Sequence, residues 1–240
     1  MSVELNFMVK KMIRVSAAAF GLLALVASAV AAQDTEPNLD FEASLGITND
    51  YRDRGFSLSD KDFSVFGSVN IFHKSGLYGG MIVATVDDPD ERNFKGDFYV
   101  GWSQESDGYI YDLSVEIGSM VGGPRDRIYP EFQASVARDY GLAFFKTGVA
   151  WAPDGRWTSP DNDTFYGYLD GEIPVPNLPL LTVLTHVGYD VRGERRNLWD
   201  WSLGVSAFIK NTEFTVSYED SSSRNPIASG AVIFSLRQYF

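Results

Sequence analysis

Two histidines, no cysteine and a surplus of carboxylates bound the chemistry open to this chain. Covalent catalysis needs a nucleophile within hydrogen-bond reach of a base. His73 precedes the short stretch 74–76, rich in turn formers, and reads as a turn-flanking surface residue. His186 falls on the polar side of an alternating segment, and no serine lies two residues to either side of it. There is no HExxH, no GxSxG, no phosphate-binding loop and no dinucleotide fingerprint. The sequence therefore predicts a non-enzyme with no catalytic residue, no cofactor and no metal centre.

Two acidic runs, 87–91 and 161–163, carry hard oxygen ligands of the kind calcium takes. In loops they read first as solvated carboxylates. Arg52, Arg54, Arg125, Arg127, Arg156, Arg192, Arg195 and Arg196 also lie between periodic segments. They suit either phosphate recognition or mixed-charge solvation, and the sequence does not separate the two.

The elements that must position these groups are strands. Period-2 alternation recurs through the chain, and no convincing helical stripe competes with it. Twelve segments alternate: 39–49, 63–73, 77–86, 96–104, 109–118, 128–137, 142–151, 164–173, 180–189, 198–209, 213–219 and 230–240. Along the first, Leu39, Phe41, Ala43, Leu45 and Ile47 oppose Asp40, Glu42, Ser44, Gly46 and Thr48. The segment 77–86 is read with Tyr78, Ile82 and Val86 on its apolar face. No Asp, Glu, Lys or Arg falls on any apolar face so chosen. The opposite faces carry Ser, Gly, Thr, Tyr and acids rather than the Lys–Glu mixture of a solvated sheet.

Connectors alternate in length. Long ones at 50–62, 87–95, 119–127, 152–163, 190–197 and 220–229 are interleaved with short ones at 74–76, 105–108, 138–141, 174–179 and 210–212. Repeated segments of about ten residues with short turns at one end and long loops at the other are the signature of a transmembrane up-and-down β-barrel. An even strand number closes the sheet and leaves no edge, as lipid requires. The expected fold is all-β, a twelve-stranded antiparallel barrel with short periplasmic turns and longer extracellular loops. Trp151, Tyr189, Trp199, Tyr218 and Phe240 sit near segment ends, where interfacial aromatics belong.

The N-terminus reads as a secretory signal. Lys10, Lys11 and Arg14 precede an uncharged run at 15–30, and Ala29-Val30-Ala31 gives a small-x-small cleavage site. The expected division is a signal peptide at 1–31 and a barrel at 32–240. Removing the signal peptide makes a chain of formal charge −12 more acidic still, which disfavours nucleic acid as a partner.

Several stretches resemble the TorF family of porin-like outer-membrane proteins of uncharacterised function. They are ASLGITNDYRDRGFSLSD (43–60), HKSGLYGG (73–80), YGYLDGEIPVPN (166–177), HVGY (186–189) and WDWSLGVS (199–206), in the family's order over nearly the whole mature chain. Asp53 departs from it, an aromatic being commoner there. The resemblance implies a Gram-negative outer-membrane location and a porin architecture, and no catalytic residues. The chain end also resembles the terminus of outer-membrane barrels: Phe240 follows Leu236, Phe234 and Val232, which marks it as an assembly signal, although Gln238 departs from the pattern.

These readings converge on a channel for passive diffusion of small solutes. The alternatives are a non-conducting structural or adhesion-type barrel and, third, a lipid-modifying enzyme of the same membrane. The expected partners are outer-membrane lipid, lipopolysaccharide, the assembly machinery and small solutes. Glu42, Asp97, Glu116, Glu131, Asp170 and Glu172, with Lys146 and Arg237, are the expected pore-lining charges. Their acidic excess predicts a preference for cations.

Overall fold

The computed structural model describes residues 38–240. The expected signal peptide and its cleavage site lie outside these residues. In chain order the strands are β1 (Leu39–Thr48), β2 (Arg52–Asp53), β3 (Phe56–Ser57), β4 (Ser64–His73), β5 (Leu77–Thr85), β6 (Phe94–Ser106), β7 (Tyr109–Val121) and β8 (Arg127–Asp139). They continue with β9 (Phe144–Ala152), β10 (Gly155–Arg156), β11 (Ser159–Pro160), β12 (Thr164–Pro174), β13 (Leu181–Val191), β14 (Leu198–Ile209), β15 (Thr212–Ser221) and β16 (Ala231–Tyr239). Twelve of them close into one antiparallel barrel in which β1 pairs with both β4 and β16. The other four form two small hairpins, β2–β3 and β10–β11, within long loops. No helix among the described residues is long and apolar enough to cross a membrane, which says nothing of crossing by strands.

Alternation decides which way each side chain points. In β14, Trp199, Trp201, Leu203, Val205 and Ile209 are exposed on the outer wall, while Asp200, Gly204 and Ser206 are buried inside. The same pattern holds around the wall, so the apolar surface is outside and the polar one within. A soluble globule does the reverse, and so large an exposed apolar surface calls for a non-aqueous surrounding.

One segment has the opposite phase to that expected. In β5, Tyr78 and Ile82 are buried inside, and Leu77, Gly79, Met81, Val83 and Thr85 form the outward row. Val86, just past the strand, is buried as well. Both faces of this strand are apolar or small, so alternation alone leaves its phase open. Packing sets it: Tyr78 clusters with Phe72, and Ile82 and Val86 join the core around Phe66. The outward row remains free of charge.

Strands β6, β7 and β8 run beyond the alternating segments, to Phe94, Val121 and Arg127. At the short-turn end, Asp107-Gly108 joins β6 to β7 with both residues in the left-handed region (φ 54° and 75°). That is the turn whose twist matches paired strands, and Asp-Gly is a favoured sequence for it.

A plugged lumen as the candidate functional site

The long-loop end of the barrel is filled. Its core contains Tyr51, Phe56 and Leu58 from the first long loop, Trp157 from the fourth and Ala228 from the sixth, packed on inward Phe66, Ile82, Met120, Tyr129 and Leu198 of the wall. Leu58 is fully buried. Phe56 meets Trp157 edge to face, with ring centroids 6.0 Å apart. Backbone bonds tie Leu58 N–H to the Tyr51 carbonyl (2.6 Å) and Asp87 N–H to the Leu58 carbonyl (2.8 Å). Lys61 Nζ donates to the Pro226 carbonyl at 2.7 Å. These loops therefore form one packed lid that closes the long-loop mouth.

Beneath the lid lies a cavity of about 950 Å³ that extends to the short-turn end, where Lys210, Asn211 and Phe240 border it. Seven of the eight expected lining charges line it: Glu42, Asp97, Glu116, Glu131, Asp170, Glu172 and Arg237. Lys146 points inward, but it is buried behind the Tyr168 ring, 5.6 Å from its centroid, and does not line the cavity. Phe240 is exposed at the mouth, and its N–H donates to the Ala43 carbonyl at 2.9 Å across the β1–β16 seam.

The tip of the β2–β3 hairpin enters the lumen. Arg54 and Gly55 make its two-residue turn (φ 49° and 77°), and a Cβ on Gly55 would stand 2.7 Å from Ser221 Cβ and 3.0 Å from Asp200 Cβ. The tip thus rests against β14 and β15. From there Arg54 Nη2 reaches Glu131 Oε1 on β8 at 2.7 Å, its guanidinium lying 3.9 Å from the centroid of the Tyr166 ring. Arg156 stands 3.0 Å from Glu131 Oε2 through Nε and donates to Asp53 Oδ2 through Nη2 at 2.9 Å. Trp157 Nε1 donates to the same Asp53 oxygen at 3.3 Å. Burial by itself raises the Asp53 carboxyl, but Arg156, Lys95 and Arg54 outweigh it and hold the group well below the usual carboxylate range. Lys95 pairs with Asp97 on the wall nearby.

A second polar cluster lies on β12–β14. His186 Nδ1 sits 2.5 Å from Asp170 Oδ1, and its Nε2 lies 3.0 Å from Asp200 Oδ1 and 2.8 Å from the Tyr166 hydroxyl. The Tyr166 hydroxyl donates to Asp200 at 2.9 Å. Gly188 makes this possible, because a Cβ there would collide with the Tyr166 hydroxyl. Both ring nitrogens of His186 are thus taken up by carboxylates and a phenol.

The loop charges also find their places. Arg52, Arg54 and Arg156, expected in external loops, line the lumen instead. The Asp88 carboxylate holds Arg92 and accepts from the N–H groups of Asp90 and Arg92, so this acidic run knits its own loop. His73 accepts from the Ser75 N–H at 3.2 Å beside its turn. The sequence reading missed Lys95, Asp53 and the inward direction of the arginines. No local signal marks this hairpin, because Arg-Gly is not among the pairs that favour a two-residue turn.

A family model for a bacterial protein of unknown function matches residues 32–236. No curated protein matches the chain. Among solved structures, a membrane protein from a study of in-meso crystallization is 13% identical, with 83% of each chain covered and a TM-score of 0.53. LpxR from Salmonella typhimurium is 10% identical over 83% of this chain and 99% of its own, with a TM-score of 0.48. A porin refined at 1.8 Å is 11% identical over 84% of this chain and all of its own, with a TM-score of 0.44. At these identities the likeness is one of fold.

Proposed function

The chain belongs to the Gcw_chp family of bacterial proteins of unknown function, and from that premise we propose that it is a porin-like barrel of the Gram-negative outer membrane that passes small cationic solutes. The observation that carries this reading is the inverted distribution of polarity: a closed wall, apolar outside, around a polar cavity of about 950 Å³. The resemblance of its motifs to the porin-like TorF proteins points the same way. So does the signal-like N-terminus, which implies export and removal of residues 1–31. Phe240, bonded across the closing seam, fits an assembly signal at the last strand.

Cation preference rests on the lining. Eleven Asp and Glu side chains border the cavity against six Lys and Arg, so the loop arginines reduce the acidic excess without cancelling it. In a narrow lumen a single-sign excess raises the local counter-ion concentration. The packed lid means that conduction requires the first loop to move.

An enzymatic reading finds less support. His186 faces the lumen, away from lipid, and its nitrogens are engaged by Asp170, Asp200 and Tyr166 rather than by a hydroxyl nucleophile.

The test is a reversal potential across a salt gradient in a planar bilayer, repeated with Glu172→Lys. We expect cation preference in the native protein and a weaker one in the variant. Anion preference, or no conductance even after the lid contacts are removed, would overturn the reading.

A further inference from the structure

The turn that carries Arg54 is unfavourable for arginine. A two-residue turn with both φ values positive favours Asn, Asp or Gly at its first position, as Asp107 shows at the other end of the barrel. Arg54 adopts φ 49° in the same kind of turn. Strain of this sort persists where the surroundings over-determine it, and it points to function. What surrounds Arg54 is a ready-made receptor for a planar cation: a carboxylate oxygen of Glu131 at 2.7 Å and the face of Tyr166, 3.9 Å from ring centroid to guanidinium carbon. A guanidinium is suited to a carboxylate on one edge and an aromatic face beneath it.

The charges around this point leave room for a cation. Asp53, Asp97, Glu116 and Glu131 line the cavity here with Arg54, Lys95 and Arg156. Removing Arg54 leaves four carboxylates and two bases. Glu131 is 1% exposed and would keep the hydrogen bond from Gln133 Nε2 (3.1 Å) but only one cation, Arg156, which it shares with Asp53. A buried carboxylate short of a partner is costly, and a mobile cation relieves that cost. The cavity below reaches Arg54, Glu131 and Tyr166 without a break, so a small solute has a path to the place.

We propose that Glu131 and Tyr166 form a binding subsite for guanidinium- or ammonium-bearing solutes, and that Arg54 fills it as a tethered competitor carried on the inserted hairpin. This deepens the channel reading and rests on it for its biological meaning. A solute that takes the subsite displaces Arg54, which frees the hairpin tip from β8 and loosens the lid. Binding and opening are then one event. The required selectivity is for a fork of N–H donors on a flat or small cation, so bulky quaternary ammonium ions, which donate no hydrogen bond, should compete poorly.

The test is calorimetric titration of the detergent-solubilised native barrel with agmatine, with choline and acetate as controls. Binding measured this way needs no conductance, so failure of the channel reading leaves this result separately readable. Vacating the subsite removes the competitor, so Arg54→Ala should bind agmatine about tenfold more tightly than the native chain. Adding Glu131→Gln to that variant should abolish the gain. Choline and acetate should not bind in either protein. Equal affinity in the native and Arg54→Ala proteins, binding that survives Glu131→Gln, or tighter binding of acetate than of agmatine would overturn the proposal. Altered gel mobility on boiling checks that each variant is a folded barrel. Should Arg54→Ala fail that check, Arg54→Lys serves: it keeps the turn and the charge but loses the fork, so agmatine should again bind more tightly than to the native protein, and unchanged affinity would count against the subsite.

Discussion

Asp53 shows how a single side chain holds the lid. Its carboxylate accepts from Arg156 and Trp157, and its proton affinity is depressed below the ordinary value of 3.8. A depressed acid stabilises the folded arrangement fully above its unfolded pKa and loses that contribution as pH falls through the folded one. The lid should therefore be indifferent to pH through the neutral and mildly acidic range and should loosen only below about 3.8. Trp157 lies against Phe56 and bonds to Asp53, so its fluorescence reports the change. Asp53→Asn should remove that acid transition, and a transition near neutrality in the native protein would contradict the assignment. Gly188 makes a second residue-scale case. Gly188→Ala should push Tyr166 off Asp200 and His186 and weaken the seat of Arg54, raising conductance while leaving the barrel heat-modifiable.

Strands carry the next level of argument, because each has one face to lipid and one to the lumen. Val183 and Val205 are direct cross-strand partners on the outer wall of β13 and β14. Arginine at Val205 should cost about 2–4 kcal/mol if the site lies near the bilayer midplane. Ser202, also on β14, lines the cavity opposite Glu219, and Ser202→Lys should be tolerated. Denaturant titration in lipid vesicles measures both, and equal costs would mean that the faces are misassigned. β5 is the instructive strand. Its inner face is as apolar as its outer one, since Tyr78 and Ile82 build the core beneath the loops. Alternation reports a face only when the two faces meet different environments, and here both meet apolar ones.

At the scale of the whole molecule, twelve strands enclose a lumen between the small barrels that side chains fill and the large ones that hold open water. The loops fill the long-loop end of the lumen, and a cavity of about 950 Å³ lies beneath them. Native channels should thus show small or infrequent conductance steps. Arg156→Ala, which removes contacts to both Asp53 and Glu131, should make them larger or more frequent. Single-channel recording reads this directly, and steps unaffected by the substitution would mean that the solute path avoids the lid.

Architecture was legible in the sequence because a transmembrane barrel repeats a local rule. Each strand must show one charge-free face, each turn one of two lengths, and both can be counted without knowing what touches what. The twelve strands, their order and the inward direction of Glu42, Asp97, Glu116, Glu131, Asp170, Glu172 and Arg237 follow from that rule. The hairpin turn at Arg54-Gly55 was not legible there, because Arg is not a residue that a left-handed turn position favours. What tertiary structure alone decided was where the loops go. Arg54 and Arg156 enter the lumen because buried Glu131 on β8 needs partners, and no local pattern in a loop encodes a partner on β8, whereas Arg52 pairs with Asp50 two residues away and donates to the Ser229 carbonyl. The phase of β5 was decided the same way, by Phe66, Phe72 and the loop core it packs against. Local alternation selects between lipid and water, whereas pairing of buried charge and filling of space depend on neighbours that only the closed barrel brings together.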